Sequence, residues 1–152
     1  AMSHNIKQKL QGIQSSLKAP KGQTNKFGGY KYRSCEDILT AVKPLLAEWS
    51  CSISISDDMV EVGSRVYVKS MVHLYDSDSV DFITSQAFAR EAENKKGMDD
   101  AQITGSASSY ARKYALNGLF AIDDTKDPDA TNKHEKVTEP SPSNSKNTED
   151  LF

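Results

Sequence analysis

The sequence predicts an α+β domain in which a three-stranded antiparallel meander carries helices on one face. Apolar residues recur at helical spacing in two segments before residue 50 and in one segment after residue 98, whereas residues 51–91 alternate with a period of two. Only short turns separate the three alternating runs, so consecutive strands pair antiparallel. A sheet with one apolar face needs helices to cover that face.

Two helices are predicted before the sheet. Ser3 is a candidate N-cap for the first, whose apolar face consists of Ile6, Leu10, Ile13 and Leu17. Residues 21–33 form a loop with room for one short N-terminal strand. Ser34 then caps the second helix, with Asp37 at the third helical position of a capping box. Pro44 conflicts with this helix because an internal proline removes a backbone hydrogen bond.

Three strands and a long helix complete the predicted order α-α-β-β-β-α. The strands cover residues 51–56, 65–75 and 80–91, with turn residues between them. Asp99 or Asp100 begins the last helix, which extends to about Leu119. Its predicted apolar face contains Ile103, Ala107, Tyr110, Ala111, Tyr114 and Ala115, and the basic residues Arg112 and Lys113 point away from that face.

Composition limits the classes of protein to which the chain can belong. Its 152 residues are 37% apolar and 26% charged and include two cysteines, which suits one domain in a reducing compartment. Apolar runs are too short for a membrane span, and the first residues lack the apolar core of a secretion signal. The expected location is therefore the cytoplasm, with no membrane partner.

Charge is divided unevenly along the chain. Residues 1–120 contain 15 basic and 13 acidic side chains, whereas residues 121–152 contain 4 and 8. The terminal segment is also rich in Ser, Asn and Pro, and such a segment buries too little apolar surface to offset the entropy of ordering. We therefore expect a folded domain at residues 1–123 and a disordered acidic tail at residues 124–152.

The sequence lacks the signatures of common enzyme sites. It has no phosphate-binding P-loop and no serine-nucleophile motif, and its three histidines are too scattered for a zinc site. Three pairs of acidic residues could hold Mg²⁺, but all lie at predicted turns or at a helix start, where Asp is common. These pairs are Asp57 with Asp58, Asp76 with Asp78, and Asp99 with Asp100. No catalytic residue, metal or cofactor is expected.

Two stretches are unusual for a purely structural domain. In residues 26–33, KFGGYKYR, aromatic side chains alternate with cations around two glycines. Aromatic faces stack on unpaired bases and cations pair with phosphates, so this loop favours single-stranded nucleic acid. The alternative is a hairpin whose aromatic residues, notably Phe27 and Tyr32, pack in the core. In residues 105–109, GSASS, five small residues would let another backbone approach the last helix closely.

The last helix and the aromatic loop together resemble the ERF (essential recombination function) family of single-strand annealing proteins from bacteriophages. The family pattern is a helix that starts with small residues, then Y-A-x-[RK]-Y-A-L, a short apolar run and an acidic cluster. Residues 105–130 match it with GSASSYARKYALNGLFAIDDTKDPDA, and residues 28–49, GGYKYRSCEDILTAVKPLLAEW, resemble the family's N-terminal part. The resemblance spans residues 5–125 and departs at Ser108 and Ser109, where a Thr is common before the tyrosine.

The resemblance implies an ATP-independent protein that binds single-stranded DNA and anneals complementary strands in phage homologous recombination. It also implies a homo-oligomeric ring or filament in the cytoplasm of an infected bacterial host, with a fold similar to the ring-forming eukaryotic annealing recombinases. Together with the basic and aromatic pattern, it gives as candidate DNA-binding residues Lys26, Tyr30, Lys31, Arg33, Arg65, Lys69, Arg90, Lys95, Lys96, Arg112 and Lys113. Arg33, Arg90, Arg112 and Lys113 rank first because they lie on predicted ordered elements beside the two unusual stretches.

Two alternative functions and one further partner stay open. One alternative is a passive single-strand binder or a double-stranded RNA binding module. The RNA-binding module shares the α-β-β-β-α order of elements, but it usually has lysines at the start of its last helix, where this chain has acidic residues that would repel phosphate. The Asp pairs would suit a metal-dependent nuclease. The last four residues, Glu149 to Phe152, resemble the acidic tips of bacterial single-strand binding proteins, so a host or phage replication or recombination protein is a candidate partner.

Overall fold

Three helices cover one face of an antiparallel sheet in the computed structural model, which describes residues 3–25, 27–91 and 99–123. The helices are α1 (Ile6–Ser16), α2 (Cys35–Glu48) and α3 (Asp100–Phe120), and the sheet contains β3 (Cys51–Val62), β4 (Arg65–Asp76) and β5 (Phe82–Arg90) in that order. A separate hairpin pairs β1 (Gln23–Thr24) with β2 (Lys31–Tyr32). The predicted α+β class and the meander are confirmed, and the predicted short strand is part of this hairpin.

Alternation along long strands makes the sheet one-sided. On β4 every second residue from Val68 to Asp76 is buried beneath the helices, whereas the residues between them face outward. β3 pairs with β4 along its whole length and extends six residues beyond the predicted strand. Asp57 and Asp58 therefore lie within a strand, and their predicted place in a turn is wrong because the β-ladder continues through them.

The hydrophobic core lies between the sheet and the helices. The largest fully buried apolar side chains come from all three helices and from β4: Phe120, Ile13, Ile38, Leu74, Leu116, Val42, Val68 and Val72. A smaller cluster joins Ala107 and Ala111 of α3 to Val68. The small side chains of α3 thus let the sheet approach that helix, whereas a Cβ added at Gly105 would meet nothing within 4 Å among the described residues.

A buried ion pair, absent from the sequence predictions, fixes α1 to the sheet. Lys9 Nζ donates to Asp76 at 2.6 Å and to Asp78 at 2.7 Å. The hydrogen bond from Lys9 holds the pKa of Asp76 below its ordinary value, and the two carboxylates raise the pKa of Lys9. The helix also begins after Asn5, whose side chain accepts from the N–H of Gln8, and not after Ser3 as predicted.

The capping box predicted for α2 is confirmed. Ser34 accepts from the backbone N–H of Asp37, and the Asp37 carboxylate accepts from the N–H of Ser34. This N–H bond holds the pKa of Asp37 below its ordinary value. α2 continues through Pro44, which lies on the exposed side of the helix. Pro44 has no N–H to donate to the carbonyl of Thr40, but Thr40 is exposed too, so water can reach that carbonyl.

α3 begins after Asp99, as the sequence predicts. The Asp99 side chain accepts from the N–H of Gln102, whose own side chain accepts from the N–H of Asp99. Across the described ranges, no helix combines the length and the apolar character that a membrane crossing needs.

Candidate nucleic-acid interface

A cleft of about 290 Å³ opens between the β1–β2 hairpin, the start of α2 and the middle of α3. The hairpin and α3 contribute aromatic rings to its walls, and α2 contributes the residues of its first turn. The lining residues are Asn25, Tyr30, Tyr32, Arg33, Ser34, Cys35, Glu36, Ser109, Tyr110 and Lys113.

Asn25 shapes the hairpin and positions Tyr30 at the cleft. Its side-chain oxygen accepts from the backbone N–H groups of Phe27 and Gly28 at 2.8 Å, and its amide donates to Tyr30 Oη at 2.9 Å. Tyr30 meets Tyr32 edge to face at 6.2 Å between ring centroids. Phe27 is fully exposed at the tip of this hairpin, so its predicted alternative place in the core is wrong.

Lys113 supplies a cation to the lining of the cleft. Its Nζ lies 5.8 Å from the ring centroid of Tyr32 and 5.5 Å from that of Tyr114, and both rings can stabilise an ammonium. Only 5% of the Lys113 surface is exposed. Its predicted outward direction is wrong. Ala115, Leu116 and Asn117 are buried in succession, which shows that the second half of α3 is covered on more than one side.

Arg33 also lines the cleft. Its Nε donates to the carbonyl oxygen of Ala19 at 2.6 Å, and one terminal nitrogen donates to the carbonyl of Asp123 at 3.4 Å. The side chain is buried and links the loop after α1 to the chain that follows α3. Arg33 therefore brings positive charge to the cleft while its guanidinium stabilises the fold.

Arg112 lies outside the cleft and pairs with Asp57 of β3. Its terminal nitrogen is 3.0 Å from Asp57 Oδ2, and Ser70 and Ser108 donate to the same carboxylate. Burial would raise the pKa of Asp57, but the donors outweigh it and hold that pKa below its ordinary value. The prediction that Arg112 points away from the apolar side of α3 overlooked this partner on the sheet.

One member of each acidic pair considered as a Mg²⁺ site has a structural role. Asp57 holds Arg112, Asp76 holds Lys9, and Asp99 caps α3. In the described ranges there is no group of three or more His, Cys, Asp or Glu residues that could hold a metal ion.

The other predicted DNA-binding residues do not join the cleft. Arg65, Lys69 and Arg90 occupy the outward face of the sheet, on the side opposite the helices. Lys31 is exposed on β2. Outside the described residues lie Lys26, Lys95, Lys96 and the predicted tail, residues 124–152.

Sequence comparisons agree with the motif that α3 carries beside this cleft. The sequence model of the ERF superfamily matches residues 6–151. This chain belongs to the ERF superfamily. A relative, the "Essential recombination function protein" of Salmonella phage P22, is 53% identical over 141 residues, which are 93% of this chain and 66% of that protein. The chain thus spans just under two thirds of the relative's length, and no solved structure matches it.

Tyr110 and Cys35 line the cleft and were not among the predicted DNA-binding residues. Tyr110 and Tyr114 stack in parallel at 6.0 Å and are 49% and 42% exposed, although the sequence predicts both on the apolar face. Their four-residue spacing indicates that the rings are neighbours but not which side of the helix is covered. Cys35 also lines the cleft, and burial raises the pKa of its thiol, which therefore stays protonated at neutral pH.

Proposed function

We propose that this ERF-superfamily chain binds single-stranded DNA in the cleft and anneals complementary strands during phage recombination without nucleotide hydrolysis. The observation that carries the proposal is a cation, Lys113, that lines the cleft and lies 5.8 Å from the ring centroid of Tyr32, which lines the same cleft. The name of the phage P22 relative supports a role in recombination. The cytoplasm of an infected bacterium is the matching location.

The side chains of the cleft suit unpaired bases better than a duplex. Tyr30, Tyr32 and Tyr110 offer ring faces and edges to bases that are not already stacked on a partner strand. Lys113 and Arg33 add positive charge that attracts the phosphate backbone without reading sequence. Base pairing between two held strands then supplies the free energy of annealing, so no bound nucleotide is needed.

We also propose that the chain acts as a homo-oligomeric ring or filament. One cleft contacts few nucleotides, and many copies along a strand would add weak contacts and keep the bases in register. Both outer strands of the sheet, β3 and β5, have one edge without a strand partner in the described part of the chain, and such edges can pair with another copy. Light scattering at micromolar concentration should give a mass well above that of one chain, and a monomer with and without DNA would contradict this.

An annealing assay tests the proposed function directly. Two complementary labelled oligonucleotides are mixed with the protein, once with Mg²⁺ and once with a chelator. Faster pairing of intact strands under both conditions is the expected result. Shortened strands that appear only with Mg²⁺ would indicate a nuclease instead, and binding without faster pairing would indicate a passive single-strand binder. Competition by double-stranded RNA tests the remaining alternative.

The C-terminal tip is proposed to bind a replication or recombination protein of the host or phage. Glu149 and Asp150 precede Leu151 and Phe152, so an apolar side chain could fill a pocket while carboxylates meet basic residues around it. Deletion of the last two residues should remove that partner from pull-downs while single-strand binding is unchanged. Recovery of the same proteins by the shortened chain would contradict this role.

A further inference from the structure

The outward face of the sheet carries an aromatic cluster that the cleft does not use. His73 and Tyr75 of β4 stack nearly in parallel, with ring centroids 5.8 Å apart and an interplanar angle of 9°. Phe82 of β5 lies 5.8 Å from His73 and 5.9 Å from Tyr75. Phe82 is 54% exposed and Tyr75 38%. Three rings thus form one surface on the side of the sheet opposite the helices.

The cluster continues along the strands as an aromatic and cationic stripe. Phe88 is half-exposed on β5, and Lys69 Nζ lies 6.0 Å from its ring centroid. Arg90 follows at the end of the same strand and is exposed. From Phe82 to Phe88 the stripe extends about 20 Å at about 3.3 Å per residue, which equals about six nucleotides at the 3.4 Å spacing of stacked bases.

The charge on this face favours a polyanion over a second copy of the same surface. Outward positions on the three strands include three cations, Arg65, Lys69 and Arg90, and one carboxylate, Asp58. Two such faces packed together would set like charges against each other. Stacking rings beside cations is the combination that sequence-tolerant single-strand binding surfaces use.

We infer that the outward face of β3, β4 and β5 is a second binding surface for single-stranded nucleic acid. His73, Tyr75 and Phe82 stack on bases, and Lys69 and Arg90 pair with phosphates. This inference rests on the proposed single-strand binding and adds a site on the opposite side of the sheet from the cleft. One chain would then contact two strands at once, one on each side.

A tryptophan reporter tests the second surface separately from the cleft. Phe82→Trp places an indole in the ring cluster, and Trp49 is the only tryptophan of the natural chain, so the unsubstituted protein gives the background signal. Oligothymidylate of 30 nucleotides should quench the new fluorescence at least twofold. The quenching should persist, with saturation, when Lys113→Met is added to weaken the cleft.

Two readings separate failure of this inference from failure of the proposed function. Fluorescence anisotropy of labelled oligothymidylate reports all DNA binding, whereas the indole reports only the outward face. Anisotropy binding without indole quenching would overturn the second surface and leave the proposed function intact. Absence of anisotropy binding by the natural chain would overturn both.

A matched pair of variants provides the second test. Tyr75→Ala combined with Phe82→Ala removes two exposed rings and should lower the affinity for oligothymidylate about tenfold, with an unchanged circular dichroism spectrum. Lys43→Ala, an exposed change on α2 on the opposite side of the sheet, should bind like the natural chain. Equal affinities of the two variants would overturn the inference. An indole signal that changes with protein concentration alone would also overturn the inference, because it would indicate that a second copy binds this face. A signal that changes when residues 124–152 are removed would overturn it too, because it would indicate that the tail binds there.

Discussion

The cleft and the outward face of the sheet both combine aromatic rings with cations, but they hold those cations differently. Arg33 and Lys113 of the cleft are buried against backbone carbonyls and tyrosine rings. Lys69 and Arg90 of the outward face project from strands whose other side already packs in the core. The cations of the cleft therefore contribute to the stability of the fold, whereas the cations on the outward face of the sheet do not. Substitutions in the cleft affect stability and binding together.

The largest effect that separates the two regions is expected for Arg33→Ala. The substitution leaves the partly buried carbonyl of Ala19 without its charged donor, which costs about 2 kcal/mol of unfolding free energy. Urea denaturation of the variant and of Lys31→Ala measures the difference, because Lys31 is exposed two residues away. Lys31→Ala should stay within about 0.5 kcal/mol of the natural chain. Equal stabilities of the two variants would show that Arg33 does not support the fold.

The next effect is expected for Tyr30, which tests stacking in the cleft. Tyr30→Ala should lower single-strand affinity about tenfold, because base stacking on an aromatic ring contributes about 1–3 kcal/mol. Tyr30→Phe keeps the ring and loses only the hydrogen bond from Asn25, so its affinity should stay within about twofold. Titration of labelled oligothymidylate distinguishes them. A loss for Phe as large as that for Ala would mean that the hydroxyl, and not the ring, matters.

Local sequence patterns were enough to predict the helices and strands, whereas contacts between residues far apart in the sequence determine which side chains are buried near the cleft and the sheet. The alternation in residues 65–75 gave the correct inward and outward sides of β4, and Ser34 and Asp37 gave the start of α2. Lys9 was not predicted to be buried because its partner Asp76 is 67 residues away in the sequence. The predicted direction of the Lys113 side chain was wrong for a similar reason, because the spacing of residues along a helix cannot show that two sides of that helix are covered.

A smaller effect is expected for Lys113, which tests the charge of the cleft apart from its packing. Lys113→Met keeps an unbranched side chain against Tyr32 and Tyr114, so stability should change by less than about 1 kcal/mol. Affinity for single-stranded DNA should fall about fivefold, and the log-log slope of affinity against salt should become shallower by about 0.7. Lys43→Met, an exposed change on α2, is the control. An unchanged slope would show that Lys113 does not contact phosphate.

The smallest effect concerns Arg112, whose partner Asp57 places it with the cations that support the fold. Since the pKa of Asp57 is lowered in the folded chain, its stabilising contribution is complete above about pH 5. That contribution disappears as the pH falls from about 4 through the lowered pKa, where the carboxylate takes up a proton. Asp57→Asn should therefore lower the unfolding free energy by up to about 1 kcal/mol at pH 7 and by less at pH 3. Arg112→Met should show the same convergence, measured by urea denaturation at both pH values, because it removes the other half of the pair. If either variant differs from the natural chain equally at pH 7 and pH 3, the ion pair is not the source of the stabilisation, and Arg112 belongs instead with the exposed cations of the outward face.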